Sequence, residues 1–151
     1  MAKVTELGKD DNSARMASIG IMMPMLKNKW RIDKVSTLTP REVDVFTLQA
    51  ISLKYKFKAS SSKFGFLINE RHDLAITVEE CIDGRIAPIV QKLMSAPFDL
   101  SYVNLDGDIS TLKTTTFKDC TGLGYVYDLD YATSQSCSFP LKFTCEEIVY
   151  S

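Results

Sequence analysis

The chain is poor in the groups that chemistry at a site requires. Its 151 residues hold one histidine, His72, and four cysteines, Cys81, Cys120, Cys137 and Cys145, with no C-x-x-C pair among them. A structural zinc site draws on closely spaced Cys/His pairs, so these spacings argue against one. Each cysteine stands at or near a strand-like stretch with apolar neighbours, where a free Cys behaves as a small hydrophobe. Reduced core thiols of this kind suit assembly in a reducing cytoplasm. An excess of either charge is also missing: 18 Lys and Arg stand against 19 Asp and Glu, a formal net charge of −1. Tight binding to a nucleic-acid backbone therefore has no global support. No long apolar run exists either. Residues 16–26 (MASIGIMMPML) fall far short of the roughly 20 residues a membrane-crossing helix needs. Glu6, Asp10 and Asp11 precede that run, where a signal peptide would carry basic residues.

What is present is a strand pattern. With 45% apolar residues the chain can fill one core of one domain. Residues 1–23 read as a flexible N-terminal arm and 24–151 as a β domain. Residues 30–35 predict a first strand, and 36–42 (STLTPRE) a loop punctuated by Pro40. Phe46, Leu48 and Ala50 set one alternation, and Ile51, Leu53, Tyr55 and Phe57 the opposite phase. That flip predicts a bulge near Ala50, with the aromatics in the core and Ser52, Lys54, Lys56 and Lys58 on the other face. Residues 59–63 (ASSSK) read as a turn before a return strand at Phe64, Phe66 and Ile68. Leu74, Ile76 and Val78 keep strict period two, the mark of a half-buried strand.

Ile86, Ile89, Val90, Leu93 and Met94 recur at helical spacing and predict one amphipathic helix. Asp83 reads as its N-cap, with Pro88 tolerated near the first turn. Beyond it come a strand at Phe98, Leu100 and Tyr102, a turn at Asp106-Gly107, and a threonine-rich strand at 112–118. Tyr125, Tyr127, Leu129 and Tyr131 then alternate with Val126, Asp128 and Asp130. A last alternation runs through 137–145, where Pro140 marks an edge or bulge. Eight strand-like stretches around one apolar helix make the chain mainly β (α+β). The architecture this predicts is an antiparallel β-sandwich or β-barrel with one flanking α-helix.

The candidate chemical motifs read more simply as structure. Asn104-Leu105-Asp106-Gly107-Asp108 has its glycine at the fourth position and no preceding helix, so it is a hairpin turn and not a calcium loop. Gly122-Leu123-Gly124 lacks a third glycine and opens a strand, so it permits a kink instead of cradling phosphate. His72 sits between Arg71 and Asp73 with no G-x-S-x-G elbow elsewhere, and reads as a surface histidine. No catalytic, metal-ligating or cofactor-binding set is assigned, and the chain is not read as an enzyme. Two features are left as candidate contact surfaces. Met16, Ile19, Ile21, Met22 and Met23 pack either on the chain's own core or on a neighbouring subunit, because Met adapts to irregular surfaces. Lys54, Lys56, Lys58 and Lys63, with Ser60 and Ser61, form a solvated hairpin tip, an interface or a DNA-facing surface.

Several stretches, in order, resemble the tail tube proteins of contractile-tailed bacteriophages. They are residues 24–32 (PMLKNKWRI), 48–53 (LQAISL), 73–79 with the helix and 98–107 (FDLSYVNLDG), 119–131 (DCTGLGYVYDLDY) and 138–147. The resemblance implies a hexameric ring whose inner strands join into one continuous barrel, with rings stacked into a tube that conducts DNA. Type VI secretion tubes and phage-derived bacteriocins use similar rings. It further implies a virion tail assembled in the host bacterial cytoplasm. The partners would be other copies, a sheath, a baseplate or initiator protein and a terminator, with no membrane insertion. A bore that releases DNA should not be cationic. Asp99, Asp106, Asp108, Asp128 and Asp130 are therefore the candidates to face it, and the lysine face belongs at a subunit or ring contact. The competing readings are a tube initiator or baseplate protein of the same fold, and a monomeric β-sandwich binding module.

Overall fold

The computed structural model describes residues 25–63, 65–68, 70–105 and 113–151. The arm candidates Met16, Ile19, Ile21, Met22 and Met23, and the aspartates Asp106 and Asp108, lie outside them. The described elements are β1 (Trp30–Val35), α1 (Pro40–Gln49), β2 (Ala50–Lys56), β3 (Ser61–Lys63), β4 (Phe66–Ile68), β5 (His72–Glu79), α2 (Ile86–Ser95), β6 (Phe98–Asn104), β7 (Thr114–Tyr125), β8 (Ser138–Cys145) and β9 (Glu147–Tyr150). Seven strands form one antiparallel sheet in the order β1-β6-β7-β8-β5-β2, with β9 also on β7; β3 and β4 pair separately.

The sheet is bent, and it does not close into a barrel. β7 changes partners along its length: its first half pairs with β6 and β9, its second with β8. At the change Asp119 adopts φ +54°, a left-handed value that a non-glycine residue rarely takes. The bend brings one half (β1, β6, β7, β9) over the other (β7, β8, β5, β2). Their rings meet across the core: Phe98 against Phe143 at 5.4 Å, and Tyr55 against Phe117 at 5.0 Å. Leu74, Ile76, Val78, Phe139, Leu141 and Phe143 are buried on the inner face, as period two requires, each contributing roughly 1.5–3 kcal/mol. Helix α2 buries Ile86, Ile89, Val90 and Leu93, the stripe read from the sequence. It lies so close to β7 that a Cβ on Gly122 would collide with Met94 Sδ and come within 3.1 Å of Met94 Cα.

Several expectations are corrected. The fold has two helices, because residues 40–49 form α1 and not a loop followed by a strand. The cause is local. Thr39 Oγ1 accepts from the Glu42 N–H (3.2 Å), Glu42 Oε1 accepts from the Thr39 N–H (3.0 Å), and Pro40 opens the helix, a full capping box. Val43 and Phe46 then point inward while Leu48 stays 80% exposed. The bulge expected near Ala50 is present, as a register shift between Ala50 and Ser52. Asp83 does not cap α2. The N–H groups of Ile86 and Ala87 donate instead to Glu80 Oε1 (2.8 Å) and Oε2 (3.0 Å), while Asp83 pairs with Arg85. His72 is buried, 8% exposed, with Nδ1 accepting from the Lys58 N–H (2.9 Å) and its ring stacked on Phe57 at 4.5 Å. Phe57, expected in the core, covers that histidine from outside and is itself 61% exposed. Residues 59–63 are not all turn, since β3 begins at Ser61. Finally, the alternation over 125–131 is not a strand here: β7 stops at Tyr125, and 126–137 carries no regular structure.

Candidate subunit interface

One corner of the molecule sets where its edges lie. Arg71, just before β5, gathers the bend of β7 and the end of β8. Its guanidinium donates to Asp119 Oδ2 (3.2 Å), Asp119 O (2.5 Å), Thr144 Oγ1 (3.0 Å) and Thr144 O (3.2 Å). A planar fork with five donors suits such a set of acceptors. On the far side the Asp119 N–H donates to Asp99 Oδ1 (2.9 Å). Asp99, a bore candidate by sequence, is therefore an exposed residue that also holds the β7 bend in place. The thiols beneath the corner are inert. Burial pushes Cys120 up to about 12 and raises Cys145 as well, so both stay protonated at neutral pH. Cys81 and Cys137 are only half-buried, so the core-thiol reading holds for two of the four.

With the corner fixed, the half-sheet β7-β8-β5-β2 keeps two free edges on opposite sides. Among the described residues β2 pairs only with β5, and Thr121–Tyr125 of β7 only with β8. The edge of β1 is different, because helix α1 lies along it and Thr47 Oγ1 accepts from the Ile32 N–H (2.9 Å). Beside the β2 edge a groove is lined by Trp30, Ile51, Leu53, Tyr55 and Tyr102, with Lys27, Lys29, Lys54 and Asn104 also on its wall. Tyr55 closes its floor, its hydroxyl 3.0 Å from that of Tyr150. Burial, aided by that contact, holds the Tyr55 phenol far above its ordinary value. Asn104 Oδ1 is buried there without a partner.

Lys54 and Lys56 are exposed on the outer face of β2, opposite Ala75 and Asp73 of β5. Among the described residues neither has an ion pair, whereas Lys58 is engaged by Asp73 (3.4 Å) and Glu70 (3.8 Å). Ser60 is exposed between β2 and β3, and Ser61 and Lys63 lie in β3. Asp128 and Asp130 are exposed in the segment after β7. The structure thus places Lys54 and Lys56 on β2 and Lys58 just beyond it, and sets Asp128 and Asp130 in the segment that follows β7. Sequence reasoning missed the groove. Its signal was present in the phase of Ile51, Leu53 and Tyr55, yet only the fold shows that β2 has an open side.

Within the described residues no three His, Cys, Asp or Glu side chains converge as a metal site would need, and no helix is long and apolar enough to cross a membrane. No protein-family model matches the chain, and no curated protein matches it. Solved structures do. A chain of the anti-feeding prophage baseplate, 6-fold symmetrised, aligns with TM-score 0.55 at 11% identity, covering 87% of this chain and 97% of that one. A chain of the sheath/tube terminator of the extracellular contractile injection system PVC, in the extended state, aligns with TM-score 0.52 at 6% identity over 87% and 99%. Hcp1 from Flavobacterium johnsoniae aligns with TM-score 0.50 at 11% identity over 82% and 94%. At these identities the likeness is one of fold: mainly antiparallel sheet with two helices, the fold that contractile injection-system components use.

Proposed function

We propose that this protein is a structural subunit of the inner tube of a contractile tail or related injection machine. Six copies form a ring, rings stack, and the tube passes DNA without holding it. The observation that carries the reading is the pair of edges, on opposite sides of one half-sheet, that pair with no further strand among the described residues. Exposed strand edges invite pairing, and a head-to-tail contact whose rotation closes makes a ring. The shared fold supports it, since one fold neighbour belongs to a baseplate described as 6-fold and another to a sheath/tube terminator. A net charge of −1 suits a conduit better than a binder of DNA. The partners of such a tube are further copies, a sheath, a baseplate or initiator and a terminator. The arm, at Met16, Ile19, Ile21, Met22 and Met23, would serve stacking between rings.

Electron microscopy of the concentrated full chain tests this, with hexameric rings or long tubes as the expected result. Rings that never lengthen without a partner would place the chain at the baseplate or initiator instead. A monomer that fails to assemble at any concentration or ionic strength would leave the binding-module reading standing.

A further inference from the structure

We propose that residues 126–131 of one copy add as a strand to the free edge of β2 in the next copy. The contact deepens the ring reading above and rests on it.

The first ground is a conflict between pattern and structure. Residues 127–131 alternate apolar and polar as a half-buried strand does, in phase with Tyr125, yet β7 ends at Tyr125. Tyr127 is anchored by stacking on Phe139 at 4.7 Å. Beyond it Leu129 is 72% exposed and Tyr131 is exposed altogether. The main chain is equally unclaimed. Among the described residues, the Asp130 carbonyl accepts from the Thr133 N–H at 3.4 Å, and the Asp128 carbonyl meets only the Cys137 thiol at 3.8 Å. A strand-patterned segment with bare amides and outward apolar side chains lacks a neighbouring strand.

The second ground is the receiving edge. β2 has seven residues, enough to take a six-residue strand along its length. Period two makes one face of an added strand meet the groove beside β2 and the other meet its outer face. Leu129 and Tyr131 would then cover Trp30, Leu53 and Tyr55. Asp128 and Asp130 would lie on the same side as Lys54 and Lys56. Both pairs have i, i+2 spacing, and none of the four has an ion pair of its own among the described residues. Cross-strand opposite charges set register and exclude wrong pairings. The incoming strand would also bring donors close to the unpartnered Asn104 Oδ1.

The third ground is closure. Residues 126–131 prolong β7, one edge of the half-sheet β7-β8-β5-β2, and β2 is the opposite edge. Joining the two edges repeats head to tail and continues one sheet from copy to copy. It also neutralises Lys54 and Lys56, which unpaired and repeated around a bore would retain phosphate.

A charge exchange in the full chain tests the contact, with assembly read by native mass spectrometry and folding by circular dichroism. Asp128→Lys with Asp130→Lys should remain folded and lose rings, and so should Lys54→Asp with Lys56→Asp. An equimolar mixture of the two variants should regain them, because each interface then pairs opposite charges in alternate copies. Asp128→Asn with Asp130→Asn should weaken assembly without abolishing it. Rings that persist in either reversed variant would overturn the contact while leaving the ring reading intact, as they would if these aspartates lined the bore. Reversed variants that fail to assemble together would overturn it too. Rings lost on deleting residues 1–23 but untouched by both reversals would assign the groove to the arm. A wild-type chain that never leaves the monomer would sink the ring reading and this contact with it.

Discussion

The bend of β7 and the edge of β2 are finished to very different degrees. At the bend Arg71 satisfies Asp119 and Thr144, Asp99 takes the Asp119 N–H, and Gly122 lets α2 press against the strand. At the β2 edge, among the described residues, two lysines have no ion pair, an amide oxygen is buried unpaired, and Trp30 and Tyr55 are only half-buried. Folding alone completes the first region. The second has the composition of an interior and the satisfaction of a surface, which is how an interface looks in a lone subunit.

Substitutions should separate the two regions. Ile89→Asp puts a charge into the buried stripe of α2, where no partner waits. It should cost several kcal/mol and prevent folding, seen as loss of the soluble monomer. Gly122→Val crowds the seam between α2 and β7, because an added Cβ would meet Met94 Sδ and press within 3.1 Å of Met94 Cα. Urea titration should show a loss of about 2–3 kcal/mol. Arg71→Ala removes the corner clamp, whose side chain is partly exposed, and should lower stability by about 2 kcal/mol. Arg71→Lys should restore little of this, since an ammonium cannot span the same acceptors.

Glu42→Gln weakens the cap of α1 and the contact with Lys92 (2.6 Å). About 0.5–1 kcal/mol should be lost at neutral pH. The Lys92 hydrogen bond, then the Thr39 N–H, hold this carboxyl below the usual carboxylate range. Its contribution is therefore present above the unfolded value and disappears as pH falls through the lowered folded one. Wild type and Glu42→Gln should converge in acid, and a gap that widens there would refute the cap. Leu129→Ser lies at the other extreme. It should change monomer stability by less than about 0.5 kcal/mol yet abolish rings, and a large stability loss would mean that the segment belongs to the monomer core.

The core strands and α2 were legible because their period-two and helical patterns coincide with burial in this one chain. α1 was not, although Thr39-Pro40-x-Glu42 announced it. Phe46, Leu48 and Ala50 mimic a strand, and a capping box outweighs three alternating apolar residues. His72 was misplaced because a polar neighbourhood in sequence says nothing of Phe57, which arrives from just beyond β2. The candidate contact surface was half legible: the lysines stood out, the groove did not.

Composition and periodicity by themselves determined a mainly β chain with strict period-two core strands and the apolar stripe of α2, since these follow from residue type and local spacing. The tertiary structure decided which strands lie at the margins, that β7 bends at Asp119, and that 126–131 pairs with no strand among the described residues. Those outcomes depend on which distant segments pair, and hydrogen bonding between segments far apart in sequence leaves no mark on the local pattern of either.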